Sequence, residues 1–293
     1  MTSAPDPLVS VVLTCFDSDP VQLAEAIDSA LAQTYPAVEI ILVDDGSTRD
    51  ETCLYLQGVD ATRVTVLRQE NRGVSAARNA GMTAARGEFL LPLDGDDLLE
   101  PSYLAVTVPV LRDEPRLAIV STRAEYFGDR TGPMILPDVS LPWMVAENSI
   151  HNSSLFRRAD FLRLGGYDEE LRRGFEDHEW WARVLLHCGE ARLLDDVLFR
   201  YRIRATSRNA AASSTDEALE DLRDAMLRNN PDRVEQIAAM ALSSLDSALA
   251  RMHSAEARVA HLEHHLGPVV RVMDRHPRIK DSLQALRRLR HRF

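Results

Sequence analysis

The chain has 293 residues, of which 45% are hydrophobic, enough for one substantial α/β core and a smaller helical appendage. No apolar run approaches the roughly 18 residues that a membrane span needs. Met1–Pro7 also lacks the basic and apolar segments of a leader, so we expect a cytoplasmic protein. The three cysteines are odd in number and widely spaced, which favours reduced, packed thiols over disulfides or a metal site.

The net charge of −11 is unevenly distributed along the chain. Residues 251–293 carry ten Arg or Lys against four Asp or Glu, so a basic tail follows an acidic body. This tail is open to two interpretations: it contacts the inner membrane surface or a phosphorylated acceptor, or it is a solvated, arginine-rich helix face. Basic residues interleaved with acids and apolar positions favour the solvated face. We expect no nucleic-acid partner.

Four short apolar runs in the first hundred residues alternate with helical patterns. The order β-α-β-α-β-α-β predicts an α/β fold with a parallel sheet and right-handed crossovers. Asp19 followed by Pro20 is a typical start for the first of these helices. The predicted strands are Val9–Leu13, Val38–Val43, Val64–Leu67 and Phe89–Leu93, and the predicted helices run from Pro20, over Asp50–Gln57 and over Ser75–Ala85.

Polar and acidic residues follow three of these predicted strands. Thr14–Asp17 comes after the first strand, Asp44–Ser47 after the second and Asp94–Asp97 after the fourth. Parallel sheets bind ligands just beyond the carboxyl ends of their strands. We therefore expect these residues to share one rim of the sheet.

The pattern is less regular further along the chain. Residues 127–143 are rich in Gly and Pro, and we predict a mobile loop over the site there. A polar linker at 210–215 separates a predicted catalytic domain, residues 1–208, from an all-helical extension, residues 209–293. Other predicted elements are a helix over 101–113, a strand over 117–121, an extended segment over 153–157, and helices over 158–164 and 175–187.

An apolar stripe runs along the longest predicted helix of this extension. Its spacing suits either docking onto the catalytic domain or pairing in a homodimer, and both interpretations stay open. Acidic residues interrupt one row, which argues against a strict coiled coil. The stripe consists of Leu242, Leu245, Leu249, Met252, Val259, Leu262 and Leu266.

The tetrapeptide Asp94-Gly95-Asp96-Asp97 directly follows a predicted strand. Mg²⁺ and Mn²⁺ prefer such oxygen ligands and need only one or two carboxylates when phosphates supply the rest. A cation held there would absorb negative charge on a departing nucleotide diphosphate. The alternative is a helix-capping acidic turn before Pro101.

A series of motifs runs through residues 8–208. They are Glu39–Thr48, Asn71–Gly81, Gly87–Leu93 leading into Asp94–Asp97, Gly165–Glu169 followed by Phe175–Asp177, and Tyr201-Arg202 with Thr206-Ser207. Taken as an ordered set, these motifs resemble family 2 glycosyltransferases of the GT-A fold, in which a Rossmann-like, mostly parallel sheet is flanked by helices. The resemblance implies transfer of a hexosyl or hexosaminyl group from a nucleotide-diphosphate sugar, most simply a UDP-sugar, with inversion.

The resemblance assigns nucleotide-binding roles to several residues. It implies that Asp44 and Asp45 read the base and ribose, beside a wall formed by Thr14 and Phe16. One of the two acids is expected to cap the turn into Gly46 instead. Asp96 is the implied ligand of Mn²⁺ or Mg²⁺. The resemblance implies that Asp94 lies nearer than Asp96 to the ribose or to a metal-bound water.

Arg78 has two interpretations of equal weight, a contact with the nucleotide or a structural ion pair with an acid of the motif. At the end of the matching region, Arg204 replaces the family's histidine, and as a permanent cation it is suited to the leaving diphosphate. Another departure follows the first strand, where Thr14-Cys15-Phe16-Asp17 stands in place of the family's Pro-x-Tyr-Asn, so the proline is lost, Phe replaces Tyr and Asp replaces Asn.

Asp177 matches the family's general base, which takes a proton from the attacking hydroxyl. Burial or the neighbouring Glu176 would raise its pKa toward neutrality. The alternative is that both are first-turn acids favoured by a helix dipole. The acceptor is open among a glycan, a lipid-linked intermediate, a natural product and a protein. Sugar or acceptor contacts are predicted for Trp143, Gly166, Glu176 and Trp181.

Two other functions stay open at this point. One is a catalytically inactive glycosyltransferase-like interaction protein, against which the intact acids argue. The other is a sugar nucleotidyltransferase, which normally has a Gly-rich, basic phosphate loop after the first strand. Thr14–Pro20 contains no Gly, Lys or Arg, so sugar transfer is favoured.

Overall fold

The computed structural model describes residues 6–136, 139–204 and 215–250. Within these residues nine strands form one mixed sheet, flanked by helices. The strands are β1 Val9–Cys15, β2 Val38–Asp44, β3 Thr65–Arg68, β4 Phe89–Asp94, β5 Leu98–Leu99, β6 Leu117–Gly128, β7 Gly132–Met134, β8 Leu155–Arg157 and β9 Glu190–Ile203. The helices are α1 Pro20–Leu31, α2 Asp50–Gln57, α3 Val74–Ala84, α4 Tyr103–Asp113, α5 Leu141–Ala146, α6 Arg158–Leu164, α7 Glu176–His187 and α8 Asp216–Arg228.

The first half of the sheet confirms the predicted α/β arrangement. The strand order is β3-β2-β1-β4-β8-β6-β9-β5, and β1 pairs in parallel with both β2 and β4. Side chains of β1 alternate between the two faces, because successive residues of a strand point to opposite sides. Leu13 belongs to the core under α1 and α4, and Val12 to the core under α3 and α7. The strand is therefore covered on both faces.

Helix α1 begins where its capping sequence predicts. The Asp19 carboxylate accepts hydrogen bonds from the backbone N–H groups of Val21 and Gln22, and Pro20 occupies the first helical position. Leu23 and Ile27 are buried on the face that packs against the sheet. The helix thus connects β1 to β2 as a crossover between neighbouring parallel strands.

The prediction of a mobile loop over residues 127–143 is corrected by the second half of the sheet. Strand β6 continues to Gly128, β7 pairs with it, and α5 follows. The prediction was wrong because β6 pairs in parallel with β9 along its length, ending at Gly128 opposite Ile203. Strand β8 lies antiparallel between β4 and β6 and joins the two halves.

The first helix of the predicted extension packs on the main core. Leu222 and Met226 of α8 are buried in the same cluster as Trp180 of α7. The compact unit containing the sheet extends from Met1 to Met240, beyond the boundary predicted at residue 208.

A second compact unit comprises Ala241–Phe293, and its described residues 241–250 are helical. Leu242, Leu245 and Leu249 of the predicted stripe have exposed side chains there. The rest of the stripe and the basic tail lie outside the described residues. None of the described helices has the length and apolarity to cross a bilayer.

Gly81 in α3 allows close contact between this helix and the sheet. A Cβ at this position would collide with Val12 Cγ1 and lie 2.9 Å from Val43 Cγ2. We expect Gly81→Ala to lower the free energy of unfolding by about 1–3 kcal/mol through overpacking, as measured by urea denaturation. Gly58→Ala, at a helix end where the nearest atom lies at 3.4 Å, is the matched control and should change it little. Equal effects of the two substitutions would contradict this packing argument.

Candidate active site

Three parallel strands bring the predicted donor-binding residues to one edge. In the register of the sheet, Cys15 at the end of β1 faces Asp44, and Thr14 faces Asp94. The Thr14 hydroxyl donates to Asp94 Oδ1 at 3.4 Å. These residues therefore share the edge formed by the carboxyl ends of the parallel strands, where such a sheet binds ligands.

Asp44 and Asp45 are both buried, and both organise loops at this edge. Asp44 Oδ1 accepts a hydrogen bond from the backbone N–H of Ser47, which caps the turn through Gly46, and Oδ2 lies 2.9 Å from Arg68 Nη1. Asp45 holds the start of α3, because its carboxylate accepts from the backbone N–H groups of Arg72 and Gly73 and from Gln69 Nε2. The two carboxylates are therefore fixed in position.

The loop after β1 is attached to the same turn. Asp17 has a positive φ of 46°, a conformation that Asp tolerates better than most residues. Its Oδ1 accepts from the backbone N–H groups of Thr48 and Arg49. The half-buried Phe16 lies in this loop, at the same edge of the sheet.

Arg78 forms buried ion pairs with two acids of the site. Its Nη2 donates to Asp94 Oδ1 at 2.8 Å, and its Nη1 donates to Glu176 Oε1 at 2.7 Å. The guanidinium carbon lies 5.4 Å from the centre of the Tyr167 ring. Of the two interpretations of Arg78, the structure shows the ion pair.

The Asp94–Asp97 loop is held by the end of β9. The backbone N–H of Arg202 donates to Asp97 Oδ1, and Arg202 Nε donates to the carbonyl of Asp96. Arg204 Nη2 lies 2.5 Å from Asp96 Oδ2. Burial, reinforced by Asp94, raises the pKa of Asp96, and the same burial raises the pKa of Asp97 well above its ordinary value.

Asp177 lies in the first turn of α7, which follows two residues of positive φ, Gly174 and Phe175. Its Oδ2 accepts from Asn148 Nδ2 at 3.0 Å and its Oδ1 from the backbone N–H of His178. Burial and the charge of Glu176 raise the pKa of Asp177 to about 7, against the opposing effect of Arg78. A carboxylate with this pKa is suited to exchange protons near neutral pH.

Two of the predicted sugar or acceptor contacts lie in the core. Trp181 is fully buried and packs edge-on against Phe156, so the prediction that it contacts an acceptor is corrected. Gly166 has φ +83°, and a Cβ there would collide with Asn79 Oδ1, so this glycine serves close packing. Trp143 lies half-buried on α5.

Two asparagines of the segment after α5 were not predicted to belong to the site. Asn148 donates to Asp177, and Asn152 Nδ2 lies 3.5 Å from Asp94 Oδ1. Their sequence context carries no motif, because both belong to the irregular connection between α5 and β8.

The chemistry of the acids at this edge fits a hard divalent cation. Asp94 and Asp96 provide carboxylate oxygens, and each ion pair with an arginine engages one oxygen of its carboxylate. Among the described residues, no three His, Cys, Asp or Glu side chains form a metal site. Two carboxylates suffice where phosphate oxygens complete the coordination.

The architecture, a curled mixed sheet with flanking helices and acids at one strand edge, is the GT-A class of fold. Comparison with known proteins gives the family: residues 10–165 match glycosyl transferase family 2. Glycosyltransferase GlyG of Streptococcus pneumoniae is 34% identical over 220 residues, which are 68% of this chain and 72% of that protein. The chain belongs to glycosyl transferase family 2.

Other relatives are longer than the region they share with this chain. The putative glycosyltransferase EpsH of Bacillus subtilis is 27% identical over 71% of this chain, which spans 59% of EpsH. An uncharacterized protein of Sinorhizobium fredii, y4gI, is 32% identical, and the chain spans 23% of it. Among solved structures, Staphylococcus aureus TarS 1–349 in complex with UDP-GlcNAc has a TM-score of 0.62 at 20% identity, covering 75% of this chain and 66% of that one.

The buried Arg78 ion pairs should be important for stability. Arg78→Gln leaves Asp94 and Glu176 without their shared cation, so we expect a loss of about 3–5 kcal/mol in the free energy of unfolding, measured by denaturant titration. Arg72→Gln removes the exposed pair with Glu169 and should cost at most about 1 kcal/mol. Similar losses in both variants would show that the buried ion pairs of Arg78 contribute no more to the free energy of unfolding than an exposed pair does.

The raised pKa of Asp177 makes stability depend on pH. Between the ordinary value of 3.8 and about 7 the folded state binds more protons at Asp177 than the unfolded state, so this residue lowers stability as pH rises. Asp177→Asn should therefore be more stable than wild type at pH 8, with the difference shrinking toward pH 4, in thermal melts across this range. A difference independent of pH would contradict the raised pKa.

Proposed function

We propose that this chain transfers a hexosyl or hexosaminyl group from a UDP-sugar to an acceptor hydroxyl with inversion, using Mn²⁺ or Mg²⁺ and Asp177 as general base. The observation that carries the proposal is the connection of two groups of acids through one residue. Asp94 at the strand edge and Glu176 beside Asp177 share the Arg78 guanidinium. A diphosphate-binding edge and a proton acceptor are thus held close together.

The nucleotide half of the proposal rests on Asp44, Asp45, Thr14 and Phe16. A carboxylate oxygen has two lone pairs, so Asp44 and Asp45 can accept from a uracil N–H or a ribose hydroxyl while keeping their loop contacts. Their fixed positions reduce the entropy lost on binding. The TarS structure that shares this fold contains UDP-GlcNAc, which supports a UDP-sugar over other donors.

Asp96, with Asp94 close by, would hold the divalent cation. When bound, the cation offsets the negative charge that develops on the departing diphosphate. Arg204 contacts Asp96 and is a permanent cation, so it can also bind the diphosphate directly. This arginine takes the place of the histidine expected in the family pattern.

At the reacting centre, the acceptor hydroxyl attacks the anomeric carbon as the bond to UDP breaks. The hydroxyl proton passes to the Asp177 carboxylate, and UDP leaves with the electron pair of the broken bond. The pKa of Asp177, raised to about 7, makes it a stronger base than an ordinary aspartate while part of it remains ionised at neutral pH. Trp143 on α5 remains the proposed acceptor contact.

A thermal-shift panel tests the donor assignment. UDP, UDP-GlcNAc, UDP-glucose, GDP-mannose and dTDP-glucose are compared with and without Mn²⁺, since a ligand that binds the folded state raises its stability. We expect the uridine compounds with Mn²⁺ to raise Tm most. No shift with any of these compounds would overturn the proposal in favour of an inactive interaction protein.

Substitution of two acids separates donor binding from proton transfer. Asp96→Ala should remove the Mn²⁺-dependent part of UDP binding in calorimetry, whereas Asp177→Asn should keep it. Asp177→Asn should reduce UDP release from the donor by at least about 100-fold, the usual contribution of a general base. Asp96→Ala should reduce it too, because the cation that offsets charge on the leaving diphosphate is lost. Asp195→Ala, which changes an acid with 95% side-chain exposure, is the control.

Full turnover in Asp177→Asn would exclude Asp177 as the base. Unchanged Mn²⁺-dependent UDP binding in Asp96→Ala would exclude Asp96 as the metal ligand. Each result bears on one assignment and leaves the other intact.

A further inference from the structure

We propose that Asn148 is a positioning residue for Asp177. The Asn148 amide holds the Asp177 carboxylate in the orientation that receives the proton of the acceptor hydroxyl, and it stabilises the ionised form of that carboxylate. The proposal rests on the role of Asp177 as base. It adds a residue that the family motifs do not contain, from the irregular connection between α5 and β8.

The orientation of the Asn148 amide is set by the protein. The backbone N–H of Ile150 donates to Asn148 Oδ1 at 3.2 Å, so the amide nitrogen is the group directed at Asp177. Asn148 Nδ2 then donates to Asp177 Oδ2 at 3.0 Å. With His178 N–H on Oδ1, both oxygens of the carboxylate have a donor, which fixes its plane.

Helix α5 is attached to α7 immediately beside this contact. His178 Nε2 lies 2.6 Å from the carbonyl oxygen of Met144, and the N–H of Glu147 donates to the Trp143 carbonyl. The residue that follows is Asn148. The position of the Asn148 amide thus depends on α5. Because Trp143 is part of α5, this helix positions both the proposed acceptor contact and, through Asn148, the proposed base.

Several charged and titratable groups surround Asp177. Glu176 on the same helix disfavours its ionised form, Arg78 on α3 favours it, and Tyr167, from the loop after α6, lies close enough to interact with it. The Asn148 amide acts in the same direction as Arg78, since a hydrogen bond to a carboxylate stabilises the charged form. Unlike Arg78, it contacts the Asp177 carboxylate itself.

The experiment measures the titration of Asp177 directly. Protein labelled with ¹³C at the aspartate carboxyl carbons is titrated by NMR, and the signal missing in Asp177→Asn assigns the residue. We expect a midpoint near 7 in the wild type. Asn148→Ala should raise it by about one pH unit, the size expected for loss of a hydrogen bond to a charged group.

Asn148→Asp should raise the midpoint further. This substitution preserves the shape of the side chain and the acceptor for Ile150 N–H, but it places two carboxyl groups against each other. Because it is isosteric, it tests the proposal even where Asn148→Ala does not fold. Ser149→Ala is the matched control, a buried polar side chain of the same segment, and should leave the midpoint unchanged.

UDP release from the donor provides a second readout. In Asn148→Ala the acidic limb of the kcat/KM profile should move to higher pH, with about tenfold lower kcat/KM at pH 6 and an unchanged affinity for UDP with Mn²⁺. Unchanged Asp177 midpoints in both Asn148 variants would overturn the role of Asn148. Full turnover in Asp177→Asn would instead overturn the base assignment, so the two failures are distinguishable.

Discussion

The Arg78 guanidinium is the cation on which the geometry of the site depends. It lies in the core with its two ends on Asp94 and Glu176, residues that are distant in sequence and belong to β4 and α7. Without the arginine these two carboxylates would lose their shared cation, which is costly in a medium of low polarity. The two ion pairs of Arg78 therefore fix the separation between the end of β4 and the start of α7.

Burial of the acids of the candidate site lowers the stability of the fold, and it raises their pKa values toward the range useful for proton transfer. Asp96, Asp97 and Asp177 all have raised pKa values, chiefly because burial disfavours their charged forms. Strongly shifted pKa values of this kind cluster at functional sites, which agrees with the function proposed above. The rest of the molecule offsets their cost through a sheet covered on both faces, with clusters of large apolar side chains on each side.

The elements with local signals were predictable. Strands β1, β2 and β4 are continuous apolar runs, and Asp19-Pro20 marks the start of α1. The long pairing of β6 with β9 was not predictable, because it depends on contacts between residues more than 60 positions apart. For the same reason α8 was placed in a separate extension, although Leu222 and Met226 pack into the core around Trp180.

By itself the sequence determined the α/β class, the family and the acids at the strand ends, because motifs such as Asp94–Asp97 and Glu176-Asp177 are local in the chain. Only the tertiary structure decided how those acids are used. It showed Arg78 in an ion pair, buried Trp181 away from any acceptor, and placed Asn148 on Asp177. The physical reason is that the contacts and the burial of a side chain depend on segments that are distant in the sequence. The type and local spacing of residues do not reveal which segments those are.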